Sequence, residues 1–537
     1  MKKTVLALIV CLLCAMPALA DDEGHHHEDL TEQHLGTVHF PTTCTEDVQK
    51  NFERGVALLH SFWYEEATKQ FQAVAAQDPH CAMAHWGIAM SYWHQLWNHP
   101  DKATVKKGAA EVNKAKSLHT RDDRERGYIA AMDAFYGGAR TRNYQSRSTG
   151  YEKAMEAASR HHPEDKEAAV FYALSLLASA PDHDTNFTNQ KKAAAVLEPL
   201  FAAEPDHPGV AHYLIHSYDS PQMAKLGLPA AERYAKVAPA SPHALHMPSH
   251  IFARLGMWPE DIASNEASVA ATRKTAAMHM GGEEHQFHAM DFLEYADLQS
   301  GRETDAQHVI EEVKATQAMK DMHGMGFDMR NYVLTIFPAR YDLELKHWND
   351  AAALEPVPDA DSTDSAITFW ARAIGAARGG NLAQAQRDVE DLDSTYKELL
   401  HKKEMRMAEA VGHDRDEATA WLEHAEGNND QALATLRKIA EREEAEGAEP
   451  LALPAREMLG DMLLEMNRPQ DALAEYEADL QYNPNRFDGL YGAAHAAEMA
   501  GKNDKANTYY SQLLQVCSGS SSDRPELSHA KQLVAQK

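Results

Sequence analysis

Residues 459–484 carry Leu459-Gly460, Leu463, Asn467, Ala472, Tyr476 and Pro484, and the reading of this stretch decides the fold. Leu459 and Leu463 share one helical face, a break falls at Asn467, Ala472 and Tyr476 form a second apolar stripe, and Pro484 stops it. The spacing predicts two short amphipathic helices joined by a tight turn. The offsets recur outward in both directions. Gly501, Ala506, Tyr510 and Leu513 follow, while Gly427, Ala432, Leu436, Ile439 and Gly380, Ala385, Val389, Leu392 precede. Gly301, Ala306, Ile310, Val313 keep the pattern, and so do Gly55, Ala67, Phe71, Val74 and Pro79. Roughly ten units fit between residues 48 and 515, with no strand-like alternation. One such helix pair cannot bury both of its faces, so successive pairs must stack.

These offsets resemble the tetratricopeptide repeat (TPR), a helix–turn–helix of about 34 residues. The resemblance implies an all-α chain, a right-handed α-solenoid of TPR-like helix-turn-helix repeats, whose concave groove binds a protein or peptide. The expected organisation is a signal peptide at 1–20, an acidic His-bearing leader at 21–47, an N-terminal array at 48–354, a C-terminal array at 365–515 and a polar tail at 516–537. Asn98–Arg121 lengthens one unit, Gly137–Gly150 inserts a polar loop, and Glu355–Ser365 reads as a Pro/Asp-rich linker.

The signal peptide rests on Lys2 and Lys3, the apolar run Val5–Leu13 and the small residues Ala18-Leu19-Ala20. It is bacterial in style, predicts cleavage after Ala20, and implies a periplasmic or secreted protein. No further apolar run approaches the ~18 residues of a membrane span. Cys11 and Cys14 leave with the signal, so of the remaining Cys44, Cys81 and Cys517 the pair Cys44–Cys81 is the disulfide candidate. With 537 residues of which 44% are hydrophobic, the chain has ample core. Acidic residues outnumber basic ones 81 to 52, a formal charge of −29 with no basic cluster. That balance argues against nucleic acid, whose affinity comes mainly from counterion release by Lys and Arg, and favours a cationic or metal-bearing partner.

Catalytic signatures are absent: no phosphate-binding Gly-Lys loop, no G-x-S-x-G, no G-x-G-x-x-G and no H-E-x-x-H. His246-Met247-Pro248-Ser249-His250 has the i, i+4 histidines of a zincin but lacks its Glu and holds a Pro. Histidine itself is abundant, at 31 residues, and nine fall between 207 and 288: His207, His212, His216, His243, His246, His250, His279, His285 and His288. The TPR resemblance assigns positions 2, 5 and 9 of each first helix to the groove. With Gly256 and Gly301 as phase markers, those positions take His243, His246, His250, then His288 and Asp291; Pro205 as the closing position adds His212 and His216.

Two readings stand for His212, His216, His243, His246, His250 and His288. Neutral imidazoles at i, i+4 on adjoining helices suit zinc or copper, with Asp291 as a further ligand and Glu266 or Glu284 as outer acceptors. Alternatively they are polar groove residues bonded to carbonyls. On the metal reading, binding would weaken below the ordinary imidazole pKa of about 6.5. Met319, Met322, Met325 and Met329 around His323 suit a soft metal but equally fill a core. His25-His26-His27 reads as a metal-capture tail or a solvated leader. The aromatics Phe62, Trp63, Tyr64, Trp86, Tyr92, Trp93 and Trp97 read mainly as wedge filling between repeats, and Glu65-Glu66 as a solvated face. The functional expectation is an exported scaffold that binds a partner, with or without a metal; its rival is a metal-dependent hydrolase or oxidoreductase using the histidines.

Overall fold

The computed structural model describes residues 34–96, 99–138, 141–280, 284–316, 329–447 and 451–535. The expected signal peptide, the His25–His27 run, Trp97 and the Met319–Met325 segment lie outside the described residues. Among those described, the chain is all-α, an α-solenoid of helix–turn–helix pairs without a strand. The first five pairs are α1 (Glu46–His60) with α2 (Tyr64–Gln77), α3 (Ala82–Ser91) with α4 (Lys102–Ser117), α5 (Asp123–Tyr136) with α6 (Tyr144–His161), α7 (Lys166–Ala178) with α8 (Thr188–Ala203), and α9 (Pro208–Tyr218) with α10 (Ala224–Val237). In the sixth the first helix is broken into α11 (Pro242–His246) and α12 (Pro248–Leu255), followed by α13 (Trp258–Ala277). Next come α14 (Glu284–Gln299) with α15 (Glu303–Ala315), α16 (Met329–Glu344) with α17 (Trp348–Ala352), and α18 (Ser362–Arg378) with α19 (Leu382–Lys402). The last are α20 (Met405–Ala425) with α21 (Asn429–Glu446), α22 (Ala455–Glu465) with α23 (Pro469–Tyr482), α24 (Phe487–Met499) with α25 (Asn503–Val516), and a closing α26 (Pro525–Val534).

The repeat chemistry explains the close crossings. Tyr476 of α23 lies between Gly460 of α22 and Gly492 of α24, where an added Cβ would come within 2.7 and 2.3 Å of its ring. A side chain at either glycine would overpack that wedge. Phe71 sits in the same way between Gly55 and Gly87. In most of the pairs the turn also has a fixed form. Its left-handed residue precedes the second helix by two positions, as at Gly256 (φ 61°) before α13 and Gly301 (φ 67°) before α15. In the first pair that seat is taken by Phe62 (φ 51°), a bulky residue in a region that L side chains rarely adopt.

Three boundaries differ from the sequence expectation. The 34–45 stretch of the leader is part of the packed structure: Phe40 is buried against Phe52, Trp86 and Tyr128, and Thr37 N donates to Asp206 O at 2.8 Å. Residues 353–361 do form a loop at the expected 355–365 linker, but it does not separate two arrays. A Cβ at Gly375 would lie 2.7 Å from the Trp348 carbonyl, so α18 packs directly on α17 and the solenoid continues. The polar tail holds α26, whose Leu527 and Ala530 are buried. The Trp63, Trp86 and Trp93 side chains are core, and Glu65 and Glu66 are buried rather than solvated. Met329 packs on the apolar core around Phe337. No helix among the described residues is long and apolar enough to cross a membrane.

Cys44 and Cys81 form a disulfide, tying the segment before α1 to the N-terminus of α3, with Cys517 a buried free thiol. The bond closes a loop across a sequence separation of 37. Constraint of the unfolded chain over such a loop contributes about 3–4 kcal/mol. Cys44→Ser/Cys81→Ser should therefore lower the denaturant midpoint of the N-terminal pairs, read by urea titration; an unchanged midpoint would show that the bond contributes nothing.

Candidate metal centre

α9, α11, α12 and α14 bring the six histidines together. His212 and His216 are one turn apart on α9, His243 and His246 are on α11, His250 is on α12, and His288 is on α14. Pro248 breaks the helix between the members of the i, i+4 pair, yet His246 Nε2 and His250 Nε2 still stand 3.1 Å apart. His212 Nε2 lies 3.1 Å from His216 Nε2 and 3.0 Å from His243 Nε2. The nitrogens form two triads, His212–His216–His243 and His246–His250–His288, each with ligand atoms within 4.8 Å of one another.

Their other ring nitrogens decide what the Nε2 atoms carry. His212 Nδ1 meets the His60 carbonyl at 2.6 Å, which only accepts, so Nδ1 donates and Nε2 is a bare lone pair. Asn265 Nδ2 donates to the Asp261 carbonyl at 3.0 Å, which turns its Oδ1 to receive His246 Nδ1 at 2.7 Å. His250 Nδ1 donates to Asp219 Oδ2 at 2.8 Å, and Arg254 Nε holds Asp219 Oδ1 at 3.0 Å. Arg254 and His250 keep that carboxyl well below its usual range, against burial, which raises it. The 3.1 Å contact between His246 and His250 therefore sets two lone pairs face to face. Only a proton or a cation satisfies it.

At the five histidines other than His250, burial works against a proton. Desolvation, then the neighbouring imidazoles, holds His212, His243 and His246 well below the ordinary histidine range, and burial pushes His216 and His288 down to about 3. Neutral imidazole is the ligand form, and it persists well below the pH 6.5 threshold that the sequence suggested. The N···N separations approach the roughly 3.3 Å that two nitrogens would keep on an ion bound tetrahedrally at about 2.0–2.1 Å. The residues present fit zinc or copper.

The cluster is not spread along an open groove. His212, His243 and His246 are buried, while His216, His250 and His288 are half-buried. The turn of the first pair covers the first triad. Strained Phe62 sets its ring 4.4 Å from His212, 5.4 Å from His243 and 5.9 Å from His216 between centroids. Phe292 packs on the second triad, 4.7 Å from His250 and 5.0 Å from His246. Behind them His60 and His207 share buried Glu167 at 2.9 and 2.8 Å. Those two histidines, against burial, draw its carboxyl down to about 2.

Several expected helpers are placed elsewhere. Asp291 is paired with Arg340 at 2.9 Å, Glu266 is exposed, and His279 is exposed. The Glu284 side chain lies outside the description. The acceptor for an imidazole N–H is Asn265 rather than Glu266. His285 is bonded to the Phe62 backbone, its ring centroid 4.9 Å from that of His243. His60, Asp219 and Arg254 carried no sequence signal, because their partners lie in other repeats, and Phe62 was read only as a wedge-filling aromatic.

No protein-family profile matches the chain, and no curated protein matches it. Solved structures similar to it include a human IFIT1 dimer with m7Gppp-AAAA, at 11% identity and a TM-score of 0.38, and a human IFIT1 dimer with PPP-AAAA, at 11% and 0.36. Each alignment covers 91% of this chain and 99% of the other. Likenesses this distant carry no argument about what this chain binds.

Proposed function

We propose that the protein is an exported helical-repeat metalloprotein, a TPR-like scaffold whose central histidines hold zinc or copper. The two histidine triads carry the reading, since each sets three imidazole nitrogens within 4.8 Å of one another, a separation that a metal cation accommodates. Export is supported by the signal-like N-terminus and by the Cys44–Cys81 bond, which suits an oxidising compartment. Three protein ligands per ion leave a position open, as catalytic rather than closed structural sites do. That feature favours the hydrolase or oxidoreductase alternative over a purely structural metal. Binding of a protein or peptide partner has its own support in a cleft of about 870 Å³. It is lined by Trp258, Asn485, Asn507, Gln512 and Gln515, groups suited to a peptide backbone.

Calorimetric titration with Zn(II) and Cu(II) tests the metal reading, in protein made without an affinity tag and with His25, His26 and His27 replaced by Ala. Micromolar or tighter binding is expected, with a rise in melting temperature as for any native-state ligand. His212→Ala/His246→Ala, which removes one buried ligand from each triad, should abolish both effects. Equal metal uptake by that variant would overturn the reading.

A further inference from the structure

The two triads belong to one centre: we propose that they hold two copper ions as a pair bridged by a single exogenous hydroxide. This inference rests on the metal reading above and adds the coupling between the two positions. α11 supplies His243 to one triad and His246 to the other, three residues apart on one helix. Side chains so spaced leave the backbone about 5–6 Å apart, and their ring centroids are 6.3 Å apart. Across the cluster His216 and His250 repeat that spacing at 6.2 Å. His250 and His288 are 5.6 Å apart. These three are the half-buried members, so both triads open toward the same solvent-reached rim where they adjoin.

Charge selects the bridge. The ligand set is imidazole alone, and neither triad includes a carboxylate. Two Cu(II) ions would place four positive charges within a few ångströms in a poorly solvated site, where repulsion is strong. The Asp219 carboxylate is already engaged by His250 and Arg254. A small anion shared by the ions offsets the repulsion and fills both open positions. Water serves once it binds both ions: its acidity rises steeply, one proton leaves to solvent, and hydroxide remains with no change of oxidation state.

Electron paramagnetic resonance of the Cu(II)-loaded full chain, again with the three tail histidines replaced, tests the pairing. Elemental analysis should find two coppers per chain, and spin coupling through the bridge should leave only a small fraction of their signal. His250→Ala/His288→Ala dismantles the second triad and should retain one copper with its full signal, so the signal per bound copper rises several-fold on removing ligands. If that variant does not fold, His216→Ala/His243→Ala approaches the same state from the other triad. Two coppers with two full spins, or a single copper in the parent, would overturn the pairing and leave the metal reading intact. No retained copper at all would remove the metal reading itself.

Discussion

Stripped of metal and acidified below pH 6.5, the protein should lose stability that the zinc-loaded protein retains. Burial keeps His212, His243 and His246 well below the ordinary range and His216 and His288 at about 3 in the folded chain. In the unfolded chain all five return to about 6.5. Between those values the unfolded state binds more protons, so stability is complete above pH 6.5 and is lost as pH falls. Burial raises the carboxyls of Glu294 and Glu417 to about 8 and of Asp297 to about 7, so these take up protons in the folded chain over the same range and oppose part of that loss. Bound metal should move the acid transition downward, since it adds a native-state ligand. Circular dichroism followed from pH 7.5 to 4, with and without zinc, reads the effect. Equal acid midpoints with and without zinc would mean that no metal occupies the imidazoles of the folded chain.

The solenoid was legible because its causes are local. Gly460, Tyr476 and Pro484 recur at fixed offsets, and each marks a contact between helices adjacent in sequence. The histidine set was legible for the same reason, since phase along the repeats aligns His212, His216, His243, His246, His250 and His288. What surrounds them was not. His60 reaches His212 across 152 residues, and Phe62 occupies a turn that other pairs give to glycine. Nothing local announces that the turn of the first pair lands on α9. The open-groove expectation failed at that point: repeats return on one another, and a groove position in one pair becomes a buried position beneath another. Asp291 misled for a related reason, because its partner Arg340 comes from the following pair.

The same return of distant repeats makes Arg486 a sensitive single side chain outside the histidine cluster. It stands at the turn between α23 and α24, fully buried, with Nη2 2.7 Å from Glu344 and 2.9 Å from Glu457. Nη1 donates to the Tyr295 hydroxyl on α14. Around it Trp258 Nε1 donates to Asn485 O at 2.8 Å, and Phe487 N to Gln299 Oε1 at 3.0 Å. One guanidinium thus joins the C-terminal pairs to α14 and α16 near the histidine-bearing repeats. Arg486→Met leaves the two carboxylates buried without a cation, a loss of about 3–5 kcal/mol. In a repeat array such a loss at one interface separates neighbours that otherwise melt together, so the thermal transition should fall and divide into two steps. Adding Glu344→Leu and Glu457→Leu removes the stranded charges, and apolar groups of similar volume often replace a buried ionic set without loss. The triple variant should therefore regain most of the parent's stability and its single transition by calorimetry. If Arg486→Met alone melts as the parent does, the carboxylates are protonated in the folded chain and the guanidinium does not hold the repeats together. If the triple variant is no better than the single one, packing around Tyr295 rather than stranded charge sets the cost.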